Sequence, residues 1–299
     1  MADERDVELR RAQPWLGTLV DIAAAGPASI DLEAAIAAAL EAIARVHRTL
    51  SAYDDASELV RVNRTASRAP QRTSPLLREV LACALDVAAH SDGAFDPTVG
   101  GTVAAWGFLP RRGECAARST WRDVVIDGDD VRFARPLALD FDGIAKGYAV
   151  DRAIAVLVAA GATRACVNAG GDLRVFGPRA ETVVVRTGGA QPARFPLVTM
   201  SDAAVATSGY AGQRRCVDRR YATPLVEPRR RLPVMSTRTV SVIAPTCMLA
   251  DALTKVVALR GPRAAATLRH YGACATMLSP ARGAWRVTRV PRMPERLAA

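Results

Sequence analysis

Five short segments join glycine or small residues to ionisable or hydroxyl side chains, mostly at predicted element ends. They are Gly93-Ala94-Phe95-Asp96-Pro97-Thr98-Val99-Gly100, Asp140-Phe141-Asp142-Gly143-Ile144-Ala145-Lys146-Gly147-Tyr148, Asn168-Ala169-Gly170-Gly171-Asp172, Ala206-Thr207-Ser208-Gly209 and Ala250-Asp251-Ala252-Leu253-Thr254-Lys255. In the second, a strand is predicted to run into a helix start. Free N–H groups at a helix start favour an anion, and Lys146 adds a point charge suited to a phosphate. Lys146 and Lys255 are the chain's only lysines among 40 basic residues, which argues against a generic surface role for Lys146. The paired glycines of the third segment let backbone approach a ligand closely. In the last segment, Asp251 and Thr254 share a helix face. A carboxylate with a hydroxyl is hard-oxygen ligation, suited to Mg²⁺ and unsuited to zinc. Each segment also has an ordinary reading as an Asp-Pro turn, a capped junction, a tight turn, a loop or a helix-start aspartate. Together they describe a site for a phosphate-bearing ligand with a magnesium ion. The sequence has no Walker A motif, no GxGxxG after a first strand and no Ser-His-Asp set. That argues against a P-loop NTPase, a Rossmann dehydrogenase and a hydrolase.

Composition sets the frame for these segments. The chain has 299 residues, half of them hydrophobic, so a sizeable core can form. The net charge of +10 favours anionic partners such as phosphates, nucleotides or nucleic acid. Seven arginines crowd Arg214 to Arg231, but no helix-turn-helix, zinc-finger or RNP pattern accompanies them, so nucleic-acid readout is weakly supported. The six cysteines contain no CxxC pair, and no histidine stands at zinc-ligand spacing from them. With three histidines, a His-based triad is not expected. No uncharged apolar run is long enough for a membrane span, and the charged start MADERDVELRR lacks a secretory signal pattern. The expectation is a soluble, cytoplasmic protein.

The elements that must position these segments can be read from periodicity. Residues 14–25 read as a strand broken at Gly17. Leu32, Ile36, Leu40, Ile43, Val46 and Leu50 predict a helix capped by Ser29 or Asp31, and Ser74-Pro75 opens another. Val124–Ile126 and Val131–Phe133 predict a hairpin. A strand over Leu137–Phe141 leads to a helix from about Ala145, with Val150, Ile154, Leu157 and Val158 inward and Gly161 after its end. Ala165–Val167, Val183–Val185 and Thr239–Ile243 read as strands. Helices are expected over Ala250–Leu259 and Arg263–Tyr271, and an edge strand over Trp285–Val290. The arginine-rich 210–235 stretch reads as a long loop. The mixture predicts an α+β fold in one large domain over 14–290, with a flexible segment over 1–13 and a tail over 291–299.

In order, LGT at 16–18, SAYDDASELVRVN at 51–63, GAFDPTVG at 93–100, LDFDGIAKGYAVD at 139–151, VNAGGD at 167–172, ATSG at 206–209 and ADALTK at 250–255 resemble the ApbE-type flavin transferases. The resemblance covers about residues 14–260. It implies an ApbE-like fold of mixed and antiparallel sheets packed with helices. It also implies a Mg²⁺-dependent enzyme that takes FAD, attaches its FMN half to a threonine of a target flavoprotein and releases AMP. By the same resemblance, Leu16, Tyr53, Ala94, Phe95, Asp96, Asp140 and Lys146 match FAD-contacting positions. Asp251 matches a metal ligand, and Gly143 a backbone carbonyl on the metal.

Two positions depart from the family pattern. The family's hydroxyl four residues after the metal aspartate is here Lys255. Either Thr254 takes over as ligand, or the Lys255 ammonium occupies part of the metal site. The family's His-x-x-Asp-Pro loop is here Pro224-Leu225-Val226-Glu227-Pro228, so its histidine is missing. These departures keep open an alternative, an FAD-binding protein or FAD pyrophosphatase that has lost transfer.

Overall fold

The computed structural model describes residues 6–116, 118–187, 193–209, 212, 214–217, 219–281 and 284–291. Residues Val7–Trp15 (β1) and Thr18–Gly26 (β2) form a hairpin closed by Leu16 and Gly17. It opens an eight-stranded antiparallel sheet. The sheet continues through Arg164–Ala169 (β3), Asp172–Phe176 (β4), Ala203–Gly209 (β5), Thr239–Ala244 (β6), Cys274–Ala281 (β7) and Ala284–Val290 (β8). Spatial order follows chain order, so the sheet is a meander whose insertions carry the helices.

The helices form where the apolar spacing demands them. Leu32–Leu50 (α1) buries Leu32, Ile36, Leu40 and Ile43, and the Asp31 side chain accepts from the Ala34 N–H at 2.9 Å. Glu58–Thr65 (α2) follows, then Pro75–His90 (α3), capped by Ser74 with proline in its first turn. Gly100–Ala105 (α4) is short. Ala145–Ala159 (α5) and Cys247–Arg260 (α6) pack against each other and the sheet, with Ala265–His270 (α7) after them.

Side chains alternate across the central strands, which splits the core in two. Ala204, Ala206, Val240 and Val242 face the helices, whereas Val205 and Ile243 face a second cluster. That cluster is roofed by the paired strands Glu181–Arg186 and Arg194–Met200. One close approach sets the α5–α6 distance. A Cβ on Gly147 would lie 2.8 Å from the Met248 nitrogen, so only glycine fits there.

Several expectations need correction. Residues from Val7 onward are not a flexible segment. They pair as β1 along the whole of β2, and Arg10 Nε donates to Asp21 Oδ1 at 2.8 Å. Their polar pattern is that of an edge strand. The tail expected over 291–299 lies outside the described residues from 292 on. Leu137–Phe141 is extended but joins no sheet. Its backbone is satisfied by Asn63, whose side chain bonds both the N–H (2.8 Å) and the carbonyl (3.0 Å) of Leu139, and by Pro97, whose carbonyl accepts from Asp140 N. Val158 is 39% exposed and points away from the core. Helix α6 begins at Cys247, so Asp251 lies in its second turn and not at its start. The arginine-rich stretch contains short paired strands at Arg215–Val217 with Arg220–Ala222, and at Val226–Glu227 with Leu232–Pro233.

Candidate active site

A cleft of about 1180 Å³ opens on the helix side of the sheet, more than twice the volume of two smaller cavities (470 and 340 Å³). Small-molecule pockets span roughly 300–1,000 Å³, so this cleft has room for a large ligand. Its walls come from the β1–β2 turn, the end of α1, the loop before Pro97, the entry to α5, the end of β5 and one face of α6. Leu16, Tyr53, Ala94, Phe95, Asp96, Asp140, Gly143 and Lys146 all line it. Sequence-distant positions that the resemblance put on FAD thus share one wall system.

Leu16 is held in an unusual conformation. The two-residue turn needs positive φ at both positions, and Leu16 sits at +56° beside Gly17 at +71°. A leucine there carries steric strain of about 1–2 kcal/mol. The turn presents its side chain to the cleft.

Behind the cleft lies a cluster of charges centred on Asp251, which has no solvent exposure. Lys146 Nζ pairs with Asp172 and stands 3.6 Å from Asp251 Oδ2. The Gly147 N–H donates to the same oxygen at 3.3 Å. Lys255 Nζ pairs with Asp251 Oδ1 and donates to the Asp251 carbonyl at 3.2 Å. Both lysines of the chain therefore converge on one buried carboxylate, and both line the cleft. Burial alone would raise the Asp251 pKa. Lys146 and Lys255 reverse that and hold it below the usual carboxylate range. Burial likewise works against charge on Lys146, but Asp251 and Asp172 keep it protonated above its ordinary value.

The other acids behave differently. Burial, then Asp142, pushes Asp140 up to about 7. Asp172 rises to about 6 through burial and Asp251, against the pull of Lys146. Asp96 already accepts from the Thr98 N–H (2.9 Å), the Thr98 hydroxyl (2.7 Å) and the Trp121 N–H (3.3 Å). It shapes the loop before Pro97 by these bonds. The N-terminus of α5 faces the cleft; its N-cap residue Ile144 offers no side-chain bond, and the Gly147 N–H of its first turn is taken by Asp251.

The oxygens implied for a divalent ion do not fit one. Lys255 already holds Asp251 Oδ1 and the Asp251 carbonyl, while Lys146 and Gly147 hold Oδ2. The Thr254 hydroxyl is fully buried. It donates to the Asp251 carbonyl at 2.7 Å and shares a hydrogen bond with Ser208 Oγ at 2.9 Å. At Gly143 the neighbour is the Lys255 stem, whose Cε would lie 3.1 Å from an added Cβ. Among the described residues, no group of three or more His, Cys, Asp or Glu is placed to share a metal.

Sequence reasoning missed some of the site. Asp172 belongs to it as the partner of Lys146, which the Asn168–Asp172 motif hinted at without naming a role. His47, in the last turn of α1, is an imidazole on the cleft wall. Nothing in its spacing sets it apart from a core-flanking residue. Pro224, Leu225 and Val226 line the cleft, and Glu227 accepts from the Arg230 N–H at 2.7 Å. Arginines of the 214–231 stretch bond backbone carbonyls beyond it. Arg215 donates to the Gly107 carbonyl at 2.6 Å, and Arg231 to the Thr98 carbonyl at 3.1 Å.

An antiparallel meander covered by helices, with a cleft of about 1180 Å³ at the start of α5, defines an α+β protein built around a ligand-sized site. The chain belongs to the ApbE family, whose model matches residues 16–277. It is 31% identical over 280 residues to the FAD:protein FMN transferase of Rhodobacter capsulatus. That match covers 84% of this chain but 52% of the relative, so the chain spans about half that protein's length. It is 28% identical to the FAD:protein FMN transferase of Salmonella typhimurium, over 77% of this chain and 72% of that one. Among solved structures, the Vibrio cholerae flavin transferase ApbE superposes with a TM-score of 0.83 at 22% identity, covering 96% and 98% of the two chains. The apo form of Pseudomonas stutzeri flavinyl transferase ApbE gives 0.81 at 25% identity, with 97% of each chain covered. No described helix is long and apolar enough to cross a membrane.

Proposed function

We propose that this chain is an FAD:protein FMN transferase that attaches FMN to a threonine hydroxyl of a target flavoprotein and releases AMP. The observation that carries the reading is the convergence of Lys146 and Lys255 on the cleft beside the start of α5. That arrangement suits the diphosphate of a dinucleotide, whose two negative charges need fixed positive groups in a half-dry site.

In this reading FAD lies in the cleft with Leu16 and Phe95 against apolar parts of the ligand. The acceptor hydroxyl oxygen bonds to the FMN-side phosphorus, and the bond from that phosphorus to the bridging oxygen breaks. AMP leaves with the bridging oxygen, and the hydroxyl proton is released. Lys146 and Lys255 bear on the charge that builds on the phosphoryl oxygens and the leaving AMP. No divalent ion enters the scheme, because the Asp251 oxygens are held by the lysines.

A second reading has one observation in its favour. The cleft loop Pro224–Pro228 offers no imidazole to take the acceptor proton. A positioned base typically contributes roughly 10²–10⁴ in rate. An FAD-binding protein would need no such group, whereas a pyrophosphatase would still have to take a proton from the attacking water.

The test is incubation of the protein with FAD and a threonine-bearing acceptor domain of a flavoprotein. Transferase action gives an acceptor heavier by FMN and an equal amount of AMP. AMP and free FMN without acceptor modification would assign the pyrophosphatase reading. No AMP at all, with FAD bound, would leave a binding protein and reject catalysis.

A further inference from the structure

We propose that Lys255 is a built-in cation that stands in for a divalent metal, so that this chain handles a dinucleotide diphosphate without one. The inference rests on the flavin-transfer reading for its ligand, and on the geometry around Asp251 for its cation.

Asp251 is a fully buried carboxylate on the second turn of α6, facing the cleft elements through its neighbours. A divalent ion there would need the carboxylate and nearby carbonyl oxygen as ligands. Lys255, one turn further on, delivers its ammonium to both: it pairs with Oδ1 and donates to the carbonyl oxygen at 3.2 Å. A second full positive charge cannot share those oxygens without strong repulsion at contact distance. An ammonium has three N–H donors. Two are engaged on Asp251, which leaves one for a phosphate oxygen in the cleft that Lys255 lines. The compact +1 charge thus takes the place on Asp251 that a divalent ion would hold, with half that ion's charge and with the aspartate orienting it.

The surroundings fit the lysine. Its stem runs past Gly143, where an added Cβ would lie 3.1 Å from Cε and 3.5 Å from Cδ. Gly143 therefore makes room for Lys255. Thr254 bonds Ser208 and the Asp251 carbonyl, which fixes the helix turn that carries the pair. Lys146 supplies a second positive charge on the opposite oxygen, so neither carboxylate oxygen is left bare.

The test titrates Mn²⁺ as a paramagnetic probe into the whole protein, with and without FAD, and reads bound ion by electron paramagnetic resonance. FAD affinity is measured in parallel in EDTA and in Mg²⁺. The expected result is no Mn²⁺ held by the wild type and the same FAD affinity in both buffers. Lys255→Thr should gain one bound Mn²⁺ and bind FAD well only with Mg²⁺. Lys255→Gln, a longer and still polar replacement should the threonine variant not fold, should lose about tenfold or more in FAD affinity in EDTA, a change of about 1.4 kcal/mol. The proposal is overturned if the wild type holds one Mn²⁺ per chain that Asp251→Asn releases, or if EDTA abolishes FAD binding and Mg²⁺ restores it. If FAD binds in neither buffer, the functional reading fails instead, and the Mn²⁺ titration alone decides the role of Lys255.

Discussion

The Lys146 ammonium stands 3.6 Å from Oδ2 of Asp251, although one residue lies in the first turn of α5 and the other in the second turn of α6. Their meeting depends on the close α5–α6 contact at Gly147, whose N–H also donates to Asp251. Binding chemistry and helix packing are thus joined at one carboxylate.

Asp251→Asn should therefore destabilise the fold as well as the site. It leaves two ammonium groups without their shared buried counter-charge, and breaking a buried pair costs about 3–5 kcal/mol. Urea denaturation should show a lower midpoint with an unchanged slope. A midpoint equal to that of the wild type would mean the lysines find other partners.

Lys146→Gln should weaken FAD binding; Asp251 keeps Gly147 and Lys255 as partners, whereas the buried Asp172 loses the lysine it pairs with, so some stability is lost as well. Losing one charge-assisted hydrogen bond costs about 1.5–3 kcal/mol, or roughly ten- to hundredfold in Kd. Quenching of flavin fluorescence on titration gives the number directly. An unchanged Kd would remove Lys146 from the phosphate contact.

Much of this was legible in the sequence, for particular reasons. The helical stripe from Leu32 to Leu50, the Ser74-Pro75 start and the 124–133 hairpin each carry local signals that packing reinforced. The site motifs were legible because glycines and rare lysines stand out in an arginine-rich chain. Leu137–Phe141 misled because its apolar run answers to burial under Asn63 and the loop before Pro97, and the strand ladder it suggests is absent. Asp172 stayed obscure because its meaning is its distance to Lys146, which no spacing encodes. Lys255 could be read as a departure, but its grip on both Asp251 oxygens is a property of the folded helix.

Leu16 offers a trade between stability and binding. Asparagine tolerates positive φ, so Leu16→Asn should relieve strain and add about 1 kcal/mol of stability. It also deletes an apolar contact in the cleft, which should weaken FAD binding by about tenfold, or about 1.4 kcal/mol. Thermal melting and flavin titration on the same preparation would show the two effects moving in opposite directions. A variant that loses stability would contradict the strained-turn account.

Asp140 sets a pH dependence. Its carboxyl, ordinarily at 3.8, is raised to about 7 by burial and by Asp142. Between those values the folded protein holds a proton that the unfolded chain releases, so this group makes stability fall as pH rises. Its penalty is complete above about pH 7. Asp140→Asn, which cannot ionise, should flatten that part of the profile and be the more stable protein on the alkaline side. Denaturation midpoints on either side of the window measure this. Parallel profiles for variant and wild type would show that Asp140 titrates normally.

The most direct test of the whole account is a crystal of the protein soaked with FAD in EDTA and read for the ligand's diphosphate. The account places both phosphates within hydrogen-bonding distance of Lys146 or Lys255, at the start of α5, with no cation density on Asp251. Diphosphate density elsewhere on the molecule, or none in a crystal where flavin is visibly bound, would contradict it.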